Sequence, residues 1–548
     1  MLRLGRPSDI WFKPALSVVA AVAPPNLALL ALGRLDLALY TMAGSLCALY
    51  AHNRPYAARA RVLAGVVLGM TGGLALALLT AALTDDAVVL VTVGALLAAA
   101  QKVLCDATRL GPPGNVVLTF ISSAALFAPQ TPGQLPGHLG LALAAGTWAW
   151  LIGMAPGLLR PHGPERRATA HALTTAAAAA AAAADADADA DAVRADCAGR
   201  DRTRAAAAAA VHAAWQTLLS TRPGASRRDL ERLVVRAETA LAAPADADPA
   251  RLRDWARELR GTGPVPSPDD LVDDDELLGI DVELAVTRTS LRCRLGPLAP
   301  IAARTAIGCG LAGYASLALG VGRPYWALVT AASLYQANVT LTWNRGVQRV
   351  VGNIVGVLAF AALVPLAHLA PAALVLVCLA LNFGAEALIG RNYWLGSVCV
   401  TPMALLITEF AQAQDPARLV TERLADTAVG AVVGFAAAIA VTNRRAGDRL
   451  EDALTAVERA GEHTARLLAD RQPAPGALES ARRALAGALV ELRATADAAS
   501  GEWWQRALPE ERVVTAEQSG HRTLAATVRR RGLLLDRDAK ARAEDVRG

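Results

Sequence analysis

Apolar stretches recur along the chain in two sets of six: 15–32, 36–52, 62–82, 87–105, 114–128 and 138–159, then 301–320, 325–342, 350–368, 372–390, 393–410 and 424–442. A helix needs about 20 apolar residues to cross a bilayer core, so these lengths predict twelve membrane spans, the fifth being short. The basic residues test the count. With the N-terminus inside, inner segments carry Arg3/Arg6/Lys13, Arg54/Arg59/Arg61, Lys102/Arg109, Arg160/Arg166/Arg167, Arg292/Arg294/Arg304, Arg345/Arg349, Arg391 and Arg444/Arg445. Outer turns carry few: Arg34 and Arg323 stand at two of them, Asp85/Asp86 at another. This alternation follows the positive-inside rule, and an odd number of spans in either half would break it.

Two stretches do not fit a membrane. Residues 161–296 are polar overall and contain an alanine run, 176–184, followed by Asp185, Asp187, Asp189 and Asp191 alternating with alanine. Alanine favours long soluble helices, whereas the Asp-Ala alternation matches neither helical nor strand periodicity and is expected to fray. Residues 261–275, with prolines and an acidic cluster, read as a linker. Residues 443–548 show helical apolar spacing (Leu450, Leu454, Val457; Leu485, Leu489, Leu492), broken at Pro473/Pro475 and Pro509. The predicted organisation is therefore 1–160 membrane bundle, 161–296 cytoplasmic helical region, 297–442 second bundle and 443–548 cytoplasmic helical hairpin or bundle. The fold class is an all-α polytopic membrane protein.

The two bundles are copies. Gly33-Arg34-Leu35-Asp36-Leu37-Ala38-Leu39-Tyr40-Thr41 is followed by Arg59, Arg61, Gly65 and Gly69; Gly322-Arg323-Pro324-Tyr325-Trp326-Ala327-Leu328-Val329-Thr330 is followed by Arg345, Arg349, Gly352 and Gly356. With six spans per half and both termini inside, the repeat is parallel. Duplicated hydrophobic units point toward transport, because substrate sites lie where related halves meet.

Composition agrees. The chain is 54% hydrophobic with 4% aromatic residues, too apolar for an ordinary soluble protein. Three lysines among 54 basic residues, with abundant alanine, suggest a GC-rich bacterial genome and an inner-membrane location. The seven cysteines form no CxxC pair or Cys/His metal spacing and read as small buried apolar residues. The first apolar run lacks a small-residue cleavage site and reads as a retained span. No Walker A, HExxH or GxSxG occurs, so neither an ATP motor nor a hydrolase is indicated. No enzyme activity, cofactor, metal site or nucleic-acid partner is expected.

The second bundle resembles the fusaric acid resistance-like family of aromatic acid exporters. The matching residues are Arg304-Thr305-Ala306; Gly322-Arg323-Pro324-Tyr325-Trp326-Ala327; Gln348-Arg349-Val350-Val351-Gly352-Asn353-Ile354-Val355-Gly356; Asn392-Tyr393-Trp394; Thr401-Pro402-Met403-Ala404-Leu405-Leu406; and Arg423-Leu424-Ala425-Asp426-Thr427-Ala428-Val429-Gly430. The resemblance covers 300–442 well and 10–160 more weakly: Leu37 stands where the second copy has Trp326, and Leu35-Asp36 where it has Pro324-Tyr325. It implies two six-span bundles, each followed by cytoplasmic helices, and efflux of organic acids.

Several residues are candidates for the path. Pro24-Pro25-Asn26 lies mid-span and predicts a helix break; alignment of the repeats sets Pro24 opposite Gly313, and Pro402 after Thr401 predicts a similar break. Their structural alternative is a kink or close packing. The eighth span is polar, with Thr330, Ser333, Gln336, Asn338 and Thr340; the first three share a helical face at spacing three and suit a pore lining or an interhelical hydrogen bond. Asn26, Thr330, Ser333, Gln336, Asn338 and Thr401 are thus the expected substrate path. Arg61, Arg304, Arg345, Arg349 and Arg391 are placed at the cytoplasmic mouths, to attract anions or to set topology and meet lipid headgroups. Gly65/Gly69 and Gly352/Gly356 predict tight helix contacts. Acidic residues are sparse: Glu386 is the proton-coupling candidate, with Asp36 and Asp106 at span ends.

The readings that follow are an exporter of small organic anions working by alternating access, a passive anion channel, a major-facilitator carrier, and a membrane scaffold acting through the cytoplasmic helices. The loop His52-Asn53-Arg54-Pro55-Tyr56-Ala57-Ala58-Arg59 lacks the acidic residue of the major-facilitator pattern. Expected partners are membrane lipid, a small organic anion and a second copy of the chain.

Overall fold

A computed structural model describes residues 11–188, 197–221, 224–242, 244, 247–266, 298–336, 338–410, 414–441, 446–474, 476–501 and 509–545. Among these residues no strand occurs. The first bundle comprises α1 (Phe12–Ala31), α2 (Ala38–Ser45, flanked by 3₁₀ turns Leu35–Leu37 and Leu46–Leu49), α3 (Tyr56–Leu83), α4 (Ala87–Ala107), α5 (Val116–Leu126) and α6 (Leu135–Met154). Four helices follow: α7 (Gly163–Ala188), α8 (Cys197–Leu219), α9 (Ala225–Ala242) and α10 (Pro249–Arg260). The second bundle is α11 (Ala299–Ala318), α12 (Pro324–Leu334), α13 (Val339–Ala367), α14 (Pro371–Ile389), α15 (Tyr393–Thr408) and α16 (Pro416–Ala440). The chain ends with α17 (Ala446–Ala469), α18 (Ala477–Ser500) and α19 (Glu510–Asp545).

Among the described residues seven helices, α1, α3, α4, α6, α13, α14 and α16, are long and apolar enough to cross a membrane. Their outward faces carry leucines that only lipid would cover: Leu68 and Leu358 are each 66% exposed. The helices start where polar side chains take up free backbone donors. Asp86, Asn338, Asn392 and Asp415 each accept from a first-turn N–H. The two copies meet in a symmetric way. The first helix of the first bundle packs on the fourth of the second, α1 on α14, and the first helix of the second packs on the fourth of the first, α11 on α4. In both copies the repeated glycine takes a left-handed turn before the short second helix, with φ of 66° at Gly33 and 51° at Gly322, a conformation glycine adopts without steric cost.

Three expectations are corrected. The predicted helix breaks at Pro24, Pro25, Gly313 and Pro402 are absent. α1 runs unbroken through Pro24 and Pro25, and α15 through Pro402. Gly313 lies inside α11, where an added Cβ would come within 2.6 Å of Val91 on α4, so it is a packing position at the seam between the halves. The discontinuities fall elsewhere, in the second helix of each half. α12 stops at Leu334 and α13 starts at Val339, so Gln336 and Asn338 are not on the face of an eighth span. Residues 343–349 and 416–423, excluded from the predicted spans because they are polar, lie in the first turns of α13 and α16.

The polar regions form two helical units on the same face of the bundle. α7–α10 enclose a core of Leu173, Trp215, Leu233, Val234, Leu252 and Leu259, with Ala176, Ala177 and Ala180 of the alanine run buried. α7 stays helical to Ala188, through Asp185 and Asp187, against the expectation of fraying. α17–α19 pack through Leu450, Leu454, Val457, Leu485, Leu489, Leu492 and Val513. The units join at a buried ion pair, Arg482 Nη2 to Glu238 Oε2 at 2.8 Å. α18 also touches the membrane bundle: Asn338 Nδ2 donates to Asp497 O (3.4 Å), and Thr340 N and Oγ1 donate to Gly501 O (3.1 and 2.9 Å). The basic residues expected at Arg3, Arg6, Arg292, Arg294, Arg444 and Arg445, and Asp189, Asp191, Cys293 and most of the 261–275 linker, lie outside the described residues.

Candidate functional site

Buried arginines are costly in hydrocarbon unless protein surrounds them; the second bundle buries Arg304 near a helix end and Arg349 and Arg423 deeper in. Arg349 is the eleventh residue of α13 and Arg423 the eighth of α16. At 1.5 Å rise per residue they lie about 15 Å and about 10 Å in from opposite ends, and they are 5% and 1% exposed.

Small residues allow the helices to come close enough to build the site. A Cβ on Gly352 would lie 2.5 Å from Ser397 Cβ, and one on Gly356 2.7 Å from Thr401 Cβ, so α13 and α15 touch along these glycines. A Cβ on Gly430 would lie 2.8 Å from Thr330 Cβ, which brings α16 onto α12. Gly65 and Gly69 meet nothing within 4 Å; the tight contact expected there is absent, and Gly73 holds that role against Gln101 and Ser122.

Asn353 ties the helices together. Its Nδ2 donates to Arg349 O (3.0 Å), and its Oδ1 accepts from Thr401 Oγ1 (2.7 Å) and Arg423 Nε (3.3 Å). Arg349 Nη1 donates to the Tyr393 hydroxyl (3.0 Å), and Ser333 reaches the same hydroxyl. The Arg423 guanidinium lies 5.0 Å from the Trp326 ring centre, and Arg345 3.7 Å from that of Tyr393, distances at which a cation gains from the ring quadrupole. Phe127 from the first bundle, Tyr325 and Trp326 extend the aromatic wall, with centroids 5.8 and 5.7 Å apart.

The hydrogen-bond inventory has a sign. Trp326 Nε1, Thr330 Oγ1, Ser397 Oγ, Arg349 Nε and Arg423 Nη1 are buried without a partner. Every one carries a proton to donate. Among the described residues neither Arg349 nor Arg423 forms an ion pair. An arrangement that offers buried donors, two cations and aromatic faces is complementary to an anion with a flat apolar body.

One carboxylate stands beside it. Asp426 is the eleventh residue of α16 and fully buried. It accepts from Ser316 Oγ (2.6 Å) and from the backbone N of Arg323 (2.9 Å), in the turn that Gly322 shapes. A span beginning at 424 puts Asp426 at a membrane edge; the longer helix places it well inside. Glu386, the expected proton-coupling residue, sits one turn from the end of α14 and is half-buried.

The predicted path residues divide. Thr330, Ser333 and Thr401 converge on this cluster. Asn26 does not: its Oδ1 accepts from Thr41 Oγ1 (3.3 Å), joining α1 to α2. Gln336 turns back to Tyr335 O (3.1 Å), and Asn338 caps α13. Of the arginines placed at the mouths, Arg345 and Arg349 belong to the buried cluster. Arg304 donates through Nε and Nη2 to Val441 O (3.0 and 2.8 Å), capping the end of α16; Arg61 and Arg391 are exposed near helix ends. Arg423, Asp426, Asn353, Tyr393 and Trp326 were quoted in the family-like motifs but not singled out as site residues. In the first bundle a buried polar network joins Gln101, Ser122, Thr119 and Asn115, and the buried Arg59 lies 3.1 Å from His52 Nδ1. Among the described residues no His/Cys/Asp/Glu group fit to hold a metal occurs.

A second polar feature lies where α4 and α11 meet α18. A cavity of about 630 Å³ there is bordered by Lys102, Arg109, Arg304 and Arg449, by Asp106, which pairs with Lys102 at 2.9 Å, and by Glu491.

Residues 311–437 match the family model described as fusaric acid resistance protein-like. The match encloses every residue of the arginine cluster and ends three residues before α16 does. The chain is also 32% identical over 193 residues to "Uncharacterized membrane protein YvaC" of Bacillus subtilis (strain 168), an alignment covering 34% of this chain and 29% of that protein. No solved structure matches. The protein is thus a multi-pass membrane protein carrying a fusaric acid resistance-like domain.

Proposed function

We propose that the protein exports small organic acid anions, aromatic ones among them, across a bacterial inner membrane, with its helical units in the cytoplasm. The observation that carries this reading is the set of unpartnered buried donors around Arg349 and Arg423. A carboxylate placed between the two guanidiniums would take up these donors, and charge-assisted bonds of this kind are the strong ones. Trp326, Tyr393 and Tyr325 would flank an aromatic ring. The acidic partner for coupling is Asp426. Its carboxylate and the bound anion compete for the same positive field, so protonation of Asp426 favours binding of the anion and its deprotonation favours release. The basic cavity between α4, α11 and α18 is placed to gather anions on the inner side by electrostatic focusing.

Reconstituted uptake tests this. Liposomes carrying the protein should move benzoate and 1-naphthoate, faster with a pH gradient, and Arg349→Ala should abolish the flux at unchanged membrane abundance. Flux that persists unchanged when the gradient is collapsed, and in Asp426→Asn, would replace the coupled exporter with a passive anion channel. Unchanged flux in Arg349→Ala and Arg423→Ala together would remove the site.

A further inference from the structure

Four cations meet at the end of the first bundle from which α7 leaves, and the transport reading uses none of them. Lys13 stands in the opening turn of α1 and Arg59 in that of α3; Arg160 lies between α6 and α7, and Arg167 near the start of α7. Arg59, Arg160 and Arg167 all lie within electrostatic range of Lys13. His52 is within range of Lys13, Arg59 and Arg167. Like charges gathered this closely repel unless something offsets them.

The protein offsets them little. One carboxylate faces the set: Glu165, 3% exposed and within range of Arg167. Its Oε1 accepts from Thr221 Oγ1 (3.4 Å) and its Oε2 takes no hydrogen bond, so it pairs with none of the four. Among the described residues no ion pair joins Lys13, Arg59, Arg160 or Arg167 to an acid. Arg167 Nε is spent on Gly163 O (3.0 Å). Neighbouring Arg166 is fully engaged, donating to the carbonyls of Leu259, Gly263 and Glu258.

The buried groups of the cluster are donors. Arg59 is 4% exposed, and its Nη2 lies 3.1 Å from His52 Nδ1. A guanidinium only donates, so Nδ1 accepts and the ring proton sits on Nε2. Arg59 Nε and His52 Nε2 are both buried without a partner. Such groups favour an anion with several acceptor oxygens.

The apolar residues beside the cations choose what the anion is attached to. Leu158 and Leu159, directly before Arg160, are 88% and 87% exposed; Trp11 and Phe12, directly before Lys13, are 41% and 40% exposed. α1, α3 and α6 are long enough to cross a bilayer, and tryptophan at a span end marks the headgroup level. The cations therefore stand at headgroup depth with bare hydrocarbon-facing side chains next to them. A soluble anion would use the charges alone; an amphiphile uses both.

We propose that Lys13, Arg59, Arg160 and Arg167 hold the phosphate of one anionic phospholipid, with its acyl chains along Leu158 and Leu159, and that this lipid ties α1 and α3 of the first bundle to α7 of the helical unit. Basic pockets between spans are known to take anionic headgroups. The site is separate from Arg349 and Arg423.

The test uses the purified full chain in dodecyl maltoside, titrated with dioleoylphosphatidylglycerol, dioleoylphosphatidylcholine or glycerol 3-phosphate. Phosphatidylglycerol should raise the melting temperature saturably, and native mass spectrometry should show one retained molecule per chain. The other two should do neither at the same concentration. Lys13→Gln with Arg160→Gln should weaken phosphatidylglycerol about 30-fold, at the usual contribution of a basic residue beside an anionic lipid surface. Arg391→Gln, an exposed arginine near a helix end of the second bundle, should leave it unchanged. An equal response to phosphatidylcholine overturns the anion, and an equal response to glycerol 3-phosphate overturns the lipid. Parent-like affinity in the double variant, or an equal loss in Arg391→Gln, overturns the site. Lys13 is half-buried and Arg160 exposed, so without lipid the double variant should melt no lower than the parent; a large drop would show that these charges hold the fold and would also overturn it.

Discussion

Replacing Arg423 by methionine separates a binding role from a structural one, because the two predict opposite effects on the unliganded protein. Arg423 is 1% exposed, donates one bond to Asn353 Oδ1 and leaves Nη1 without a partner. A buried charge that lacks compensation costs stability, and an apolar residue of similar shape is tolerated or preferred. The unliganded variant is therefore expected to melt no lower than the parent. Binding should suffer instead. A charge-assisted hydrogen bond to a carboxylate contributes about 1.5–3 kcal/mol, so the dissociation constant for benzoate should rise about 10- to 150-fold. At a benzoate concentration 100 times the parent's dissociation constant, the parent gains about 2.7 kcal/mol of stability by mass action; a variant weakened 100-fold gains about 0.4 kcal/mol. Thermal unfolding in detergent with and without benzoate reads both quantities. A variant that melts far below the parent without ligand would show that Arg423 holds the helices together and would refute the anion-site argument. A preserved benzoate response would refute it from the other side.

Trp326→Phe keeps an aromatic face and removes the unpartnered indole N–H; benzoate affinity should fall about 2- to 12-fold, the value of one ordinary hydrogen bond, measured by titration of the purified variant. Gly356→Val should lower the melting temperature and abolish flux, because the new side chain starts 2.7 Å from Thr401 Cβ and overpacking costs about 1–3 kcal/mol, whereas Gly69→Ala, in open space, should be neutral or stabilising. Acid should loosen the helical units on the membrane face: burial, with a smaller contribution from Arg204, depresses the His521 pKa from 6.5 to about 4, so its contribution is present above pH 6.5 and is lost as pH falls toward about 4. The upper limit is about 3 kcal/mol, and His521→Gln should flatten the loss in a circular-dichroism titration.

Much of the fold is legible in hydrophobic spacing. Lipid presents one demand to every helix, so a run of leucine, valine and alanine announces α3, α4, α14 and the apolar part of α13 whatever they pack against. The same holds for Leu450, Leu454, Leu485 and Leu489, whose spacing already marks a helical face. The parallel repeat was visible in Gly33-Arg34 and Gly322-Arg323, and both glycines turn the chain before a short helix.

The site was less legible for a physical reason. Hydropathy reads each residue against solvent, and Arg349, Arg423 and Asp426 therefore fell outside or at the edge of the apolar runs. Their environment is neither water nor lipid but other side chains: Tyr393, Asn353, Trp326 and Ser316, drawn from four helices. Local rules also misplaced the interruptions. Proline removes a backbone donor, yet α1 carries Pro24 and Pro25 without breaking; the chain breaks instead after Leu334, where Asn338 caps the next helix and binds α18. The sequence by itself determined the membrane class and the all-helical fold, because these depend on composition and period. Only the tertiary structure decided that two arginines and an aspartate stand inside the second half and that α18 reaches back to the start of α13, because burial of a charge and contact between helices depend on partners far away along the chain.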